Sequence, residues 1–374
     1  MSTKTKNIVV TVLFACFLAS FALFCWLKPA DSYSQAERRE LKQFPSLSFG
    51  SVISADFMNS FESYALDQFP MRDSFRAVKA FTAMNIMGQK DVNDLYEKDG
   101  YIPKIEYPTN IESVNNAVNK LTNLYNSFVK DKNCNVYTTV VPDKHYFMAD
   151  KYSYLSLDYA ALIKTYTDGM SFAQYIDILP LLGIKDYYMT DTHWKQEEIF
   201  DVAQAIADKM GVKLEESYTQ QSLGKIFKGV YGYQFALSYE KDELKYMTAP
   251  YQNGLKIYSW DSGTPVEIPV YTLEKAEGND PYDIFLSGAK VSMVTIENEN
   301  AKTDKELIIF RDSFGSSLSP YFAEGYAKIT ILDPRVLPQM TLNYFVQNGT
   351  ISFDNADVLF MFSSTLLNNS NELK

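Results

Sequence analysis

Short apolar runs alternating with amphipathic stretches constrain this chain more than anything else in it. Residues 111–129 place Ile111, Val114, Val118, Leu121, Leu124 and Phe128 at three- and four-residue spacing, which predicts one apolar stripe along a helix. An apolar run, 136–141, follows at once and predicts a buried strand. The rhythm returns after residue 306: strand 307–310, helix to about residue 327, strand 329–332, helix 337–346 and strand 357–362. Helix and apolar strand in alternation imply an α/β fold with a largely parallel sheet. Residues 196–210 add an amphipathic helix, with Ile199, Val202, Ile206 and Met210 facing in and Gly211 as its stop. Residues 55–69 and 74–87 read as helices, and 92–102 as a hairpin turning at Asp99-Gly100. Residues 213–300 change character: they are rich in Tyr, Gly and β-branched residues, and predict a mostly β insertion or subdomain.

The N-terminus carries an address. Lys4 and Lys6 precede an uncharged stretch, 8–27, in which 20 residues of helix would span about 30 Å, the thickness of a bilayer's hydrocarbon core. The basic flank places the N-terminus in the cytoplasm and the rest of the chain outside. An uncleaved anchor over 1–28 competes with a cleaved signal peptide. The length of the run and the want of a small-x-small site after it favour the anchor. Residues 29–50, with Pro29, Pro45 and Gly50, read as a tether, and 51–374 as the remaining domain. A net charge of −11, with no basic cluster beyond the first residues, argues against nucleic acid as a partner. Cys16 and Cys25 lie in the apolar segment, so Cys134 has no partner for an internal disulfide.

Two motifs carry chemistry. Asp191-Thr192-His193-Trp194 holds one of only two histidines in the chain, and Arg311-Asp312-Ser313-Phe314-Gly315 sits between a strand pattern and a helix pattern. In an extended segment residues i and i+2 face the same way, so Asp191 can orient the His193 ring. Ser313 is where a strand-to-helix turn would expose a nucleophile. Together they suggest acyl transfer through Ser313, with His193 as base and Asp191 as its orienting acid. Each motif alone has a blander reading, a surface acid with a structural histidine and a helix-capping serine. Their occurrence together raises the catalytic one. A second pair, Asp143-Lys144-His145, offers His145 as an alternative base. It also raises a four-ligand metal site with Asp191 and His193, against which Lys144 and the missing His/Cys spacing argue. Trp194, Arg311 and Lys144 are candidates for contact with substrate.

These residues carry a family resemblance. The chain resembles the DHHW family of exported proteins, relatives of the alginate O-acetylation proteins with an SGNH-hydrolase-like domain. Its markers are Glu37-Arg38-Arg39-Glu40-Leu41 leading to Phe44-Pro45, Asp67-Gln68-Phe69-Pro70-Met71-Arg72-Asp73 and Lys98-Asp99-Gly100-Tyr101. Val141-Pro142-Asp143-Lys144, Tyr188-Met189-Thr190-Asp191-Thr192-His193-Trp194 and Arg311-Asp312-Ser313-Phe314 complete them. The resemblance implies a flavodoxin-like α/β/α sandwich of SGNH-hydrolase type, with the Asp-His pair before the serine in permuted order. It implies a Ser313–His193–Asp191 triad. Thr192 stands where the family name has histidine. Arg311 stands where a Gly-Asp-Ser motif has glycine, which leaves the backbone N–H groups at Ser313 as the default oxyanion donors.

The function expected is a membrane-anchored, extracytoplasmic O-acyltransferase that acetylates hydroxyls of a secreted or wall polysaccharide, without cofactor or metal. The resemblance further implies a membrane-bound O-acyltransferase partner that passes the acyl group across. An acetylesterase would use the same residues, and a non-catalytic subunit that binds polysaccharide or a partner would keep the fold.

Overall fold

The structure, a computed structural model, describes residues 2–373 apart from 35, 38, 215, 216, 238, 239 and 289. Arg38 of the Glu37–Leu41 marker therefore lies outside the described residues. The chain divides into two compact units: Met1–Asn93 with Tyr233–Ser238, and Asp94–Gly232 with Tyr239–Lys374.

The first unit opens with helix Thr3–Leu27 (α1), the one helix among the described residues long and apolar enough to cross a membrane. A short antiparallel pair follows, Tyr33–Ser34 (β1) with Arg39–Glu40 (β2), and then helices Phe49–Ile53 (α2), Asp56–Asp67 (α3) and Arg72–Phe81 (α4). The two sequence markers of this unit lock into each other. Arg39 donates to both carboxylate oxygens of buried Asp67, at 2.8 and 2.5 Å, and the Lys42 N–H donates to it at 2.8 Å. Arg72 reaches back to ion-pair with Glu37. The Arg39 hydrogen bonds hold the Asp67 carboxyl at about 2, well below its ordinary range.

The second unit is built on an eight-stranded sheet among the described residues. Its strands are Asn135–Val141 (β3), Gln174–Tyr175 (β4), Lys256–Ser259 (β7), Val266–Glu267 (β8), Met293–Glu297 (β9), Glu306–Arg311 (β10), Lys328–Leu332 (β11) and Ala356–Ser363 (β12). They lie in the order β4-β3-β12-β10-β11-β9-β7-β8. The first five are parallel; β9, β7 and β8 continue the sheet antiparallel. The fold is therefore α/β with a mixed sheet. Residues 213–300 do not form a separate β subdomain: β7, β8 and β9 extend the central sheet. Thr219–Phe227 (β5) and Asp242–Thr248 (β6) pair as an antiparallel ribbon.

Helices cover both faces, which is why the inner strands are unbroken apolar runs. On one face Leu307, Ile309, Ile331 and Leu359 pack with Phe200–Lys209 (α8) and Gly315–Phe322 (α10). On the other, Ile308, Phe310, Val358 and Phe360 pack with Ile111–Leu124 (α5), Tyr159–Gly169 (α7), Gln339–Gln347 (α11) and Ser364–Asn368 (α12). Short helices Ala149–Tyr152 (α6) and Val230–Phe235 (α9) complete the list. The hairpin expected over 92–102 is present as an irregular antiparallel pair, with Leu95 bridged to Lys104 and Lys98 to Tyr101. Asp99 and Gly100 both have positive φ, and Lys98 and Tyr101 exchange backbone hydrogen bonds of 3.0 and 2.9 Å.

The chain leaves β10 into α10 on one face, whereas β12 leads into α12 on the other. The carboxyl ends of these adjacent strands thus open a crevice where connections diverge, the place where α/β sheets keep their sites.

Candidate active site

Ser313 stands at that edge. It lies in the short turn, 312–314, between β10 and α10. Of residues 307–326 it alone is not buried. The turn presenting it is fixed by Asp312, whose carboxylate accepts from the Phe314 N–H at 3.1 Å and from the Ser363 N–H, at the end of β12, at 2.7 Å. Gly315 permits the helix to start this close to the sheet. A Cβ there would meet Arg311 Cβ at 2.7 Å and Met361 Cε at 3.0 Å.

The Asp191–His193 segment reaches Ser313 from a loop rather than from the end of a strand. The loop is closed by an isolated antiparallel bridge between Tyr187 and Trp194. Asp191 meets His193 through a turn, not through an extended run: its Oδ1 accepts from the His193 N–H at 3.2 Å and lies 2.7 Å from His193 Nδ1. His193 Nε2 lies 2.8 Å from Ser313 Oγ. An ionised carboxylate only accepts, so the hydrogen bond to Asp191 assigns the ring proton to Nδ1 and leaves Nε2 free to accept from the serine hydroxyl. The helix expected from residue 196 is interrupted: a 3₁₀ turn, Gln196–Glu198, precedes α8 at Phe200. The end of the α-helix therefore does not stand next to His193 in sequence.

The three side chains expected to meet substrate lie inside the protein instead. Trp194 is fully buried, and its Nε1–H donates to Ser317 Oγ at 2.9 Å and to the Phe314 carbonyl at 3.2 Å. Arg311 is fully buried against Asp333 at 3.1 Å, which also binds Arg335 at 2.7 Å. Lys144 is 1% exposed, and its ammonium donates to the carbonyls of Tyr188 (3.0 Å), Met189 (2.8 Å) and Asp191 (2.7 Å). Trp194 and Lys144 each tie down a piece of backbone, which suits a buried polar group, and Arg311 is held by the Asp333 carboxylate. Burial pushes the Lys144 pKa down to about 7, against the pull of Asp242, Asp191 and Asp143.

His145 does not approach Ser313 in this arrangement. Its Nδ1 is 2.9 Å from the Tyr96 hydroxyl and its Nε2 2.8 Å from the Leu155 carbonyl. Asp143 accepts from Tyr159, from the His145 N–H at 2.7 Å and from Ser364 at 3.3 Å. The two Asp-x-His pairs do not gather into a metal cage: among the described residues no group of three or more His, Cys, Asp or Glu side chains is placed to hold an ion. Cys134 is half-buried with a free thiol, and burial raises its pKa.

Sequence reasoning missed three parts of the site. Tyr282 lies flat on the His193 ring, centroids 3.9 Å apart and planes within 5°, with its hydroxyl 2.7 Å from Ser317 Oγ. Asp242 accepts from the N–H groups of Met189 (2.6 Å) and Thr190 (2.8 Å) and from the Thr190 hydroxyl (2.6 Å). Gly229 runs against Asp191 so closely that a Cβ would sit 2.4 Å from its Cα, and the Val230 N–H donates to Asp191 Oδ2 at 3.0 Å. Tyr282, Asp242 and Gly229 all come from the segment read as an insertion. No local spacing ties them to His193. The one available signal was glycine and aromatics crowded together there.

No family model matches the sequence, and no curated protein resembles it. Solved structures do share its fold. A DHHW family protein from Eubacterium siraeum DSM 15702 superposes with a TM-score of 0.61 at 20% identity, over 76% of this chain and 95% of that one. Bacillus cereus PatB1 with a sulfonyl adduct gives 0.57 at 20% identity, over 73% and 97%. A second PatB1 structure gives 0.56 at 17%, over 73% and 96%. A DHHW family protein, of the family the sequence markers resemble, is thus among the structures that share this fold.

Proposed function

We propose that the chain is a membrane-anchored, extracytoplasmic O-acyltransferase that moves an acetyl group to hydroxyls of a secreted or wall polysaccharide through Ser313, His193 and Asp191. One observation carries the reading: His193 bridges Ser313 Oγ and Asp191 Oδ1 at 2.8 and 2.7 Å, and Ser313 is the single non-buried residue of its stretch. The sulfonyl adduct of PatB1 supports it, because sulfonyl reagents label activated nucleophiles. The marker motifs support it as well, through their resemblance to the alginate O-acetylation proteins.

In this reading His193 Nε2 takes the Ser313 proton as Oγ attacks the acyl carbonyl. The donor's alkoxide leaves with that proton, and Ser313 holds the acyl group as an ester. A sugar hydroxyl then loses its proton to His193 and attacks the ester, and Ser313 departs as the restored hydroxyl. Asp191 holds Nδ1–H throughout and stabilises the transient imidazolium. The Ser313 N–H, just before α10, is the default backbone donor for the oxyanion. A membrane-bound O-acyltransferase would supply the acyl group from the other side of the bilayer. Transfer and hydrolysis differ only in whether a sugar hydroxyl or water meets the acyl-serine.

The test is release of p-nitrophenol from p-nitrophenyl acetate by the full-length protein, with and without an oligosaccharide acceptor. Ser313→Ala and His193→Ala should each lower the rate by about three orders of magnitude or more, and acetyl should appear on the acceptor with wild type alone. EDTA should leave the rate unchanged. Retention of activity by Ser313→Ala would remove the proposal.

A further inference from the structure

Helix α4 turns its large apolar side chains to the outside. Two of its three cationic side chains turn inward while Lys79 stays exposed: Arg72 pairs with Glu37, and Arg76 donates to the Gln234 carbonyl at 3.3 Å, the two side chains being 24% and 20% exposed. Ala80 and Ala83 are buried beside them. The large apolar side chains of α4 turn outward, with Phe75 47%, Val78 62% and Phe81 53% exposed, and Met71 just before it (64%) and Ile86 in the helical turn Thr82–Ile86 after it (70%) continue the row. Their spacing of three to five residues makes one stripe, of the kind that normally faces a core. A contiguous exposed apolar stripe marks a surface that meets something other than water.

Contacts inside the same unit say what that is. The Phe21 ring of α1 lies 5.8 Å from Phe69 and 6.1 Å from Phe75, centroid to centroid. Phe21 and Phe24 line an apolar cleft of about 270 Å³ together with Pro70 and Met71. Phe21 precedes the end of α1 at Leu27 by six residues, which is about 9 Å of helix axis. Side chains that touch Phe21 therefore stand at the depth where α1 is still in hydrocarbon, if α1 spans.

We infer that α4 and the Phe69–Met71 turn before it lie in the membrane interface, with Phe75, Val78 and Phe81 in the headgroup–acyl boundary of the lipid. The unit then sits on the bilayer around the base of α1 and does not hang from a free tether. The inward contacts of Arg72 and Arg76 fit this placement, since they keep both cations out of hydrocarbon. Continuity with α1 selects lipid over a protein partner as the occupant. The inference rests on the reading of α1 as a membrane span.

The experiment uses full-length protein with Cys16, Cys25 and Cys134 replaced by serine, reconstituted alone in phosphatidylcholine vesicles. Single cysteines replace Leu18, Phe75 and Val78 in turn and carry an environment-sensitive fluorophore. Phe75 and Val78 are exposed, so the fold should tolerate the change. Labels at Phe75→Cys and Val78→Cys should be quenched by brominated lipid, reporting a depth of about 5–10 Å, and be shielded from aqueous iodide. A quenched Leu18→Cys label with iodide-accessible labels at 75 and 78 overturns the inference and spares the anchor. An unquenched Leu18→Cys label overturns both.

Discussion

At the scale of single residues, the site is held by charges the chain has buried and put to structural use. Lys144 offers three N–H groups to three carbonyls of the loop that carries Asp191. Lys144→Met should leave those acceptors unmet and cost at least about 2 kcal/mol in denaturant unfolding, since each orphaned buried group costs about 1–3 kcal/mol. The same variant should lose acyl transfer, because the loop then has no tie beneath Asp191. A second buried charge sets a pH dependence. Burial pushes the Glu106 carboxyl up to about 7, with Lys104 at 3.6 Å pulling the other way. A carboxyl raised above its unfolded value of 4.5 stabilises the fold fully below that value and loses the contribution as pH rises through about 7. Thermal melts should show this fall between those values in wild type and its loss in Glu106→Gln. The lowered pKa of Lys144 makes its own change above about 7, so the two windows separate. An unaltered slope in the variant would contradict the assignment.

At the scale of elements, close approach matters more than propensity. The 228–230 backbone is pressed on Asp191 where only glycine fits. Gly229→Ala should force the two segments apart, destabilise by about 1–3 kcal/mol and lower sulfonyl labelling of Ser313 in step with p-nitrophenol release. Unchanged labelling would mean that the segment does not position the acid. The elements most legible in the sequence were those whose partners face them locally. The stripe of Ile111, Val114, Val118 and Leu121 gave α5, and the run 307–310 gave β10, because burial on both faces writes an unbroken apolar string. What sequence could not show was pairing at a distance. β7 and β9 read as β, but nothing within them says that they add to the edge of a sheet whose next strand, β11, comes later in the chain. Trp194 and Arg311 were read as substrate contacts because polar or aromatic side chains near a base look available. The structure buries both, and burial is set by neighbours such as Ser317 and Asp333. The α4 stripe was legible as a helix. Which side of it faces the interior was not, since a stripe facing lipid and one facing a core look alike in sequence.

At the scale of the whole molecule, the parallel half of the sheet gathers the exits of β3, β10 and β12 at one edge. Asp143, Ser313 and Ser364 stand there together, in a crevice made by connections leaving to opposite faces. The antiparallel half, β9, β7 and β8, brings with it the segment that supplies Tyr282. A loop that belongs to neither half, tied to the exit of β3 through Tyr187 and Lys144, supplies the histidine. This division of labour explains why the acid and histidine can precede the serine in sequence and still meet it: the crevice fixes the serine, and the loop needs only to reach it. The central claim is that Ser313 carries the acyl group. The direct measurement is peptide mass spectrometry of full-length protein quenched during turnover of p-nitrophenyl acetate. One acetyl group should appear on the peptide containing Ser313, accumulate when acceptor is withheld, discharge when it is added, and be missing in Ser313→Ala and His193→Ala. Turnover with no acetyl on Ser313, or acetyl trapped on another residue in wild type, would contradict the account.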